Sequence, residues 1–225
     1  MKFWEQGLNP EQLRAVLTTD GAVLILAGAG SGKTKTLTHR IAYLIEEKKV
    51  NPDHILAVTF TNKAAQEMRE RIEKLLLQSE AAQYGAVVIP QYIGTFHNIC
   101  AKILRREIEV LGYGRNFNII DDQDQQSIVK KAMKELEMDP DQVRPRSLLE
   151  AISKAKNAQM EPDQYLLQTG SYYEELAAKV YERYQKQLKE TNSLDFDDMI
   201  RLTVKLFQEF PAVLEKYQDF FRYVM

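Results

Sequence analysis

The sequence predicts an α/β fold: a parallel sheet flanked by helices, carrying a mostly helical insertion. Three observations predict it. Over about the first 110 residues, short apolar runs alternate with stretches of helical periodicity, the order that parallel crossovers require. A glycine-rich turn, Ala27 to Thr34, joins the first of these runs to a long helical stretch. From about Leu111 to Asn192 the strand signal nearly vanishes, and helices broken at Asp139-Pro140, Arg144-Pro145 and Glu161-Pro162 take over.

Taken in order, Ala22 to Ala27 (AVLILA) is a continuous apolar run, the pattern of a strand buried on both faces. The helix from Thr34 to Glu47 places Leu37, Ile41, Leu44 and Ile45 on one side. His54 to Phe60 (HILAVTF) repeats the strand signal, and a helix with one charged side follows from about Asn62 to Gln78. Ala86 to Ile93 reads as a third strand, with Pro90 implying a bulge or an edge. The helix after Gly94 runs through Ile99, Ile103 and Ile108. Within the insertion only Phe117 to Ile120 reads as a strand. Leu194 to Phe210 is a further helix, and Asp219 to Met225 (DFFRYVM) begins a strand that would return to the sheet. The chain stops inside that apolar signal, which predicts a piece of a longer protein.

Composition sets limits. A hydrophobic content of 44% suits a core-forming protein, and a net charge of −2 gives no bulk basic signal, so any nucleic-acid binding must come from a local groove. The single cysteine, Cys100, cannot form an internal disulfide and reads as a small buried residue in a reducing cytoplasm. Met1 to Gln12 lacks the apolar core of a signal peptide, and no run reaches membrane-spanning length. The expectation is a cytoplasmic chain with no membrane partner.

The segment AGAGSGKT (Ala27, Gly28, Ala29, Gly30, Ser31, Gly32, Lys33, Thr34) has the composition of a phosphate-binding loop. Gly30 and Gly32 permit backbone angles that turn several N–H groups inward, and the following helix adds its positive end. Lys33 would reach the β- and γ-phosphates of ATP, and the Thr34 hydroxyl would hold Mg2+. The strict pattern has glycine where Ala27 stands. Upstream, Asn9, Pro10 and Gln12 spell a capped helix start, while the Gln12 amide could instead pair with an adenine edge. The two roles cannot use the same side-chain atoms at once.

Two more turns are built alike. Thr59-Phe60-Thr61-Asn62-Lys63 follows the second strand, and Gly94-Thr95-Phe96-His97 follows the third. Hydroxyls, amides and aromatic rings at helix starts suit single-stranded nucleic acid: Thr61, Asn62, Lys63 and Thr95 for the backbone, Phe60, Phe96 and His97 for base faces. The structural alternative makes the polar residues helix caps and both phenylalanines core residues. Asp195-Phe196-Asp197-Asp198 reads as a capped helix start or, less simply, a metal site, and so does Asp121-Asp122-Gln123-Asp124. His39 and His54 need no special role.

Taken together, LNPEQ, AGAGSGKT, VTFTNKAA, GTFHNICAKILR and LDFDDMI, in this order, resemble the amino-terminal part of the superfamily 1 DNA helicases of the UvrD, PcrA and Rep type. The resemblance implies a RecA-like P-loop NTPase fold: an incomplete motor domain 1A at residues 1–110 and 193–225, and a helical inserted subdomain 1B at 111–192. It implies an ATP- and magnesium-dependent 3′ to 5′ translocase on single-stranded DNA that unwinds duplex at single/double-strand junctions. Gln12 then reads adenine, Lys33 and Thr34 serve phosphate and magnesium, and Lys35 stands where the family often has arginine. Lys154, Lys156 and Asn157 could touch duplex DNA, or form a solvated helix face. The family's acidic Asp-Glu motif would follow Met225, so the chain alone is expected to lack ATPase turnover. The rival readings are the motor of a helicase-nuclease subunit, a small-molecule kinase on the same loop, and a non-catalytic binding module.

Overall fold

A computed structural model describes residues 2–79, 82, 85, 87–139 and 143–225. The chain is mixed α/β and divides into two compact units, Met1–Ile99 with Glu215–Met225, and Cys100–Leu214. These divisions fall inside two helices, α4 (Phe96–Glu107) and α10 (Pro211–Phe220).

The first unit is built on a three-stranded parallel sheet of order β2-β1-β5. β1 (Ile55–Thr59) is central, β2 (Tyr92–Thr95) pairs with it from Leu56↔Tyr92 to Thr59↔Thr95, and β5 (Tyr223–Val224) lies on its other side. Met225 extends that last pairing, donating to the Leu56 carbonyl and accepting from the Val58 N–H, each at 2.8 Å. Around the sheet stand α1 (Pro10–Leu17), α2 (Lys33–Glu46) and α3 (Asn62–Leu76), whose apolar faces make one core from Val16, Ile41, Leu44, Ile55, Ala57, Met68, Ile72 and Ile93.

Three expectations need correction. The apolar run Ala22 to Ala27 is not a strand: residues 22–28 join no ladder, and Leu24 and Leu26 are 82% and 87% exposed. An apolar pattern specifies burial, but a strand forms only where neighbouring backbone meets its N–H and C=O groups. Both sides of β1 are taken by β2 and β5, and no described residue pairs with this segment. The third strand starts only at Tyr92, near the end of the expected Ala86–Ile93 stretch, and runs on to Thr95, because Pro90 has no N–H to give to a ladder; Ala86 itself lies outside the described residues. At the C-terminus, α10 occupies Pro211–Phe220 where only a strand start was expected at Asp219. Pro211 at its first position, followed by Val213, Leu214, Tyr217 and Phe220, carried the signal.

One buried histidine ties the chain's start to α2. His39 Nδ1 meets the Trp4 carbonyl at 2.7 Å, so that nitrogen carries a proton and donates. Trp4 in turn packs edge-on against Tyr43 and donates its indole N–H to Glu47. Burial, with Lys35 adding to it, lowers the His39 pKa below its ordinary value, and the Trp4 bond only partly offsets this. The folded state therefore refuses a proton that the unfolded chain accepts, so stability is full above the ordinary histidine value of 6.5 and declines as pH falls through it. The urea midpoint should drop between pH 7.5 and pH 5.5 more steeply in the unaltered chain than in His39→Gln, which keeps a donor but cannot titrate; parallel slopes would refute this assignment.

The second unit is helical: α5 (Asp122–Glu135), α6 (Pro145–Asn157), α7 (Pro162–Leu167), α8 (Tyr172–Glu190) and α9 (Phe196–Glu209). A two-stranded parallel ribbon joins β3 (Asn118–Ile119) to β4 (Ser193–Leu194). Its core is Val129, Met133, Leu148, Ile152, Val180, Tyr181, Tyr184 and Leu188. Cys100 is half-buried, and burial raises its thiol pKa, as suits an unreactive residue.

Lys156 overturns both of its expected roles. It is 1% exposed, and its ammonium lies 2.6 Å from Asp195 Oδ2 and 3.0 Å from Asp198 Oδ2. Tyr184 donates to the same Asp195 oxygen at 2.8 Å, Gln185 donates to Asp198, and Arg201 bridges Asp198 to Glu161. Burial raises the Asp195 pKa. Burial would raise Asp198 too, but Lys156 and Arg201 outweigh it and hold this carboxyl below the ordinary range. Asp195 also accepts from the Asp198 N–H at 2.8 Å and so caps α9 as the sequence suggested, while Asp195 and Asp198 of the acidic run serve a buried ion pair. Lys156→Met should cost about 3–5 kcal/mol in urea unfolding, the range for stranding a buried charge; a solvent-facing or DNA-facing lysine would cost less than about 0.5 kcal/mol.

Candidate functional site

The loop starts from Ala27 and Gly28, exposed at the end of the unpaired segment, and turns into α2 at Gly32. Gly30 and Gly32 hold φ of +75° and +85°, the left-handed region that side chains avoid. Gly32 has a second reason: a Cβ there would lie 2.8 Å from Gln12 Nε2. Ser31 closes the turn by donating its hydroxyl to the Gly28 carbonyl at 2.7 Å. Lys33 folds back over the loop, its ammonium 2.9 Å from the Ala27 carbonyl and 2.7 Å from that of Gly28. Thr34 is exposed on the first turn of α2, and Ala29 is exposed on the loop. Ala27 is exposed, and its carbonyl accepts from Lys33.

Gln12 is committed on two sides. Its Oε1 accepts the Asn9 N–H at 3.0 Å while Asn9 Oδ1 accepts the Gln12 N–H at 2.8 Å, a closed capping box. Its Nε2 donates to the Ser31 carbonyl at 2.9 Å, which ties α1 to the loop. A primary amide has two lone pairs on oxygen and two N–H groups on nitrogen. One of each is used, and one of each remains. Lys35 points away from the loop, donating to the Gly7 carbonyl at 2.5 Å.

The other two turns share one sheet edge, because β1 and β2 run parallel and Thr59 is level with Thr95. Thr61 caps α3 by accepting the Ala64 N–H at 3.1 Å, and the Thr95 hydroxyl accepts the Asn98 N–H at 3.3 Å. Both hydroxyls keep a proton to donate. Asn62 and Lys63 are exposed on the first turn of α3, and His97 is half-buried on that of α4. The phenylalanines are not core residues: Phe60 is 91% exposed and Phe96 46%, their ring centroids 6.1 Å apart. Two neighbouring aromatic rings thus stand exposed where two helices start.

Residues 8–225 match the family model described as UvrD/REP helicase N-terminal domain. The chain belongs to that family. It is 51% identical over 218 residues to the ATP-dependent DNA helicase PcrA of Bacillus subtilis strain 168, covering 97% of this chain and 28% of that protein. It is 47% identical over 217 residues to PcrA of Staphylococcus aureus strain Mu50, covering 96% and 29%. PcrA of Staphylococcus epidermidis matches at 47% over 219 residues, covering 97% and 29%. The chain thus spans less than a third of the length of these UvrD/REP relatives. Among the described residues no helix is long and apolar enough to cross a membrane, and no group of three His, Cys, Asp or Glu side chains could hold a metal ion. The Thr34 hydroxyl suits magnesium all the same, since that ion takes most of its oxygens from phosphate and water.

The sequence missed Arg40. It lies on α2, 7% exposed, with its guanidinium donating to the Ala15 carbonyl at 2.6 Å and to that of Thr18. Its position one residue before Ile41 and three after Leu37, on the apolar side of the helix, was the available sign. Lys156 gave the same sign, four residues after Ile152 and eight after Leu148.

If the rings at the sheet edge are contact residues, Phe60→Ala should change the urea-unfolding free energy by less than about 0.5 kcal/mol, as for an exposed side chain. A loss of about 3 kcal/mol would instead return Phe60 to the core.

Proposed function

We propose that this chain is the amino-terminal part of an ATP-dependent DNA helicase that moves 3′ to 5′ along single-stranded DNA and opens duplex at single/double-strand junctions, in a repair or replication setting in the cytoplasm. The observation that carries the reading is the exposed Phe60–Phe96 pair on the sheet edge of a chain that also bears an AGAGSGKT loop. The PcrA relatives, each an ATP-dependent DNA helicase by name, support it. Residues 1–110 and 193–225 would form an incomplete RecA-like motor domain 1A, and 111–192 the insertion 1B.

In this reading Gly28, Ala29, Gly30, Ser31 and Gly32 present backbone N–H groups to the phosphates of ATP, with Ala27 closing the extended segment before them. Lys33 would exchange the Ala27 and Gly28 carbonyls for the β- and γ-phosphate oxygens, a trade of neutral for anionic acceptors. Thr34 gives its hydroxyl to Mg2+. Magnesium, when bound, offsets the charge that develops on the phosphoryl group. Gln12 offers its remaining lone pair to the adenine N6 amine and its remaining N–H to N7. Lys35 adds positive charge near the loop but no planar fork, and its ammonium is already engaged at Gly7. Phe60, Phe96 and His97 stack on bases, while Thr61, Asn62, Lys63 and Thr95 donate to the DNA backbone.

Titrating a fluorescent oligo-dT at two salt concentrations tests the DNA half. Binding should weaken as salt rises, Phe60→Ala should lose about fivefold or more in affinity, and Lys63→Ala should flatten the salt dependence by about one charge. Oligo-dT affinity unchanged in Phe60→Ala would remove the reading.

A further inference from the structure

Three side chains of α2 donate to backbone carbonyls of the segment that carries Gln12. Lys35 reaches Gly7 at 2.5 Å and His39 reaches Trp4 at 2.7 Å, both before α1 begins. Arg40 reaches Ala15 at 2.6 Å and also Thr18, at the other end of α1. The last carbonyls of a helix have no partner within it, so the Arg40 guanidinium supplies what the C-terminus of α1 lacks and brings the favourable charge for that end. The helix that opens on the phosphate loop thus grips the Gln12 segment before and after the glutamine.

The grip sets a chemical orientation as well as a position. The Ser31 carbonyl only accepts and the Asn9 N–H only donates, so the Gln12 amide fits between them one way round: nitrogen to Ser31, oxygen to Asn9. Flipped, it would oppose two acceptors and two donors. Held as it is, the amide turns one acceptor and one donor outward. Adenine presents the matching donor and acceptor at N6 and N7, whereas guanine presents two acceptors at O6 and N7. Selection for adenine therefore requires that the segment carrying Gln12 stay fixed relative to Ser31.

We propose that Arg40 is a positioning residue for nucleotide choice. By clamping the C-terminal turn of α1 onto α2, with Lys35 and His39 holding the approach, it keeps the Gln12 amide in the orientation that accepts adenine and rejects guanine. This rests on the reading of Gln12 as the base contact. Arg40 directs its guanidinium to the Ala15 and Thr18 carbonyls and not to the loop, so its loss acts on discrimination and leaves phosphate binding in place.

The test is competition of ATP, GTP and inorganic tripolyphosphate against a fluorescent ATP analogue on the 225-residue chain. The unaltered chain should favour ATP over GTP by about fivefold or more, the scale of one two-point base contact. In Arg40→Met the ratio should fall to within about twofold of unity while tripolyphosphate affinity stays within about twofold. Arg40→Lys keeps the buried charge and stem but cannot bridge both carbonyls, and should lie between. Gln12→Ala should lose the ratio by itself, and adding Arg40→Met to it should change nothing further. If Gln12→Ala loses the ratio and both Arg40 variants keep it, the positioning role is wrong and the base contact stands. If Gln12→Ala keeps the ratio, or the unaltered chain shows no preference or no binding, the base contact is wrong and the proposal goes with it. Equal loss of all three ligands in both Arg40 variants would reduce Arg40 to a folding role and overturn the proposal.

Discussion

The first unit depends on how α2 is held. Its apolar residues Ile41, Ala42 and Leu44 are fully buried, and beside them His39 and Arg40 are buried as well, each spending its hydrogen bonds on carbonyls of the preceding segment. Burying a guanidinium is costly unless its donors are met, so these bonds are a condition of the packing and not an addition to it. Because the loop from Ala27 to Thr34 ends in the first turn of this helix, whatever fixes α2 also fixes the direction in which the loop's N–H groups face. The N-terminal segment, the glycine-rich loop and the core beneath the sheet are thus oriented by one element.

The second unit solves a related problem with charges of both signs. Lys156, Asp195, Asp198, Arg201 and Glu161 lie among helices α6, α8 and α9, and every charge has an opposite partner within 3.0 Å. Such a group adds little net stability over apolar packing, but any helix arrangement that separates its members leaves a bare buried charge. Tyr184 and Gln185 from α8 complete the hydrogen bonding. The acidic run that opens α9 is therefore spent on interior order.

The polar residues at the sheet edge do two tasks with the same atoms. Thr61 and Thr95 accept backbone N–H groups as caps and retain a hydroxyl proton for a ligand. Gln12 likewise closes a capping box and ties the loop while keeping half of its amide unused. Residues near a helix start are already oriented by the helix, so a contact built from them loses little freedom when a ligand arrives.

Local patterns determined much of this chain without help from its fold. The glycines with positive φ, the Asn9-Pro10-Gln12 cap, the strand at Ile55–Thr59 and the helices at Lys33–Glu46 and Phe196–Glu209 follow from spacing and backbone chemistry acting over a few residues. So did the two aromatic turns, whose residue types were plain although their exposure was not. Tertiary structure decided what depends on distant partners. It left Ala22 to Ala27 unpaired because no ladder lies beside it, and it buried Lys156 because two carboxylates some 40 residues onward meet it. It also decided which Gln12 atoms the cap and the loop take, leaving one lone pair and one N–H of the amide. The reason is the same in each case: a sequence pattern states what a residue needs, burial or pairing or a hydrogen bond, and only the folded chain determines which group supplies it.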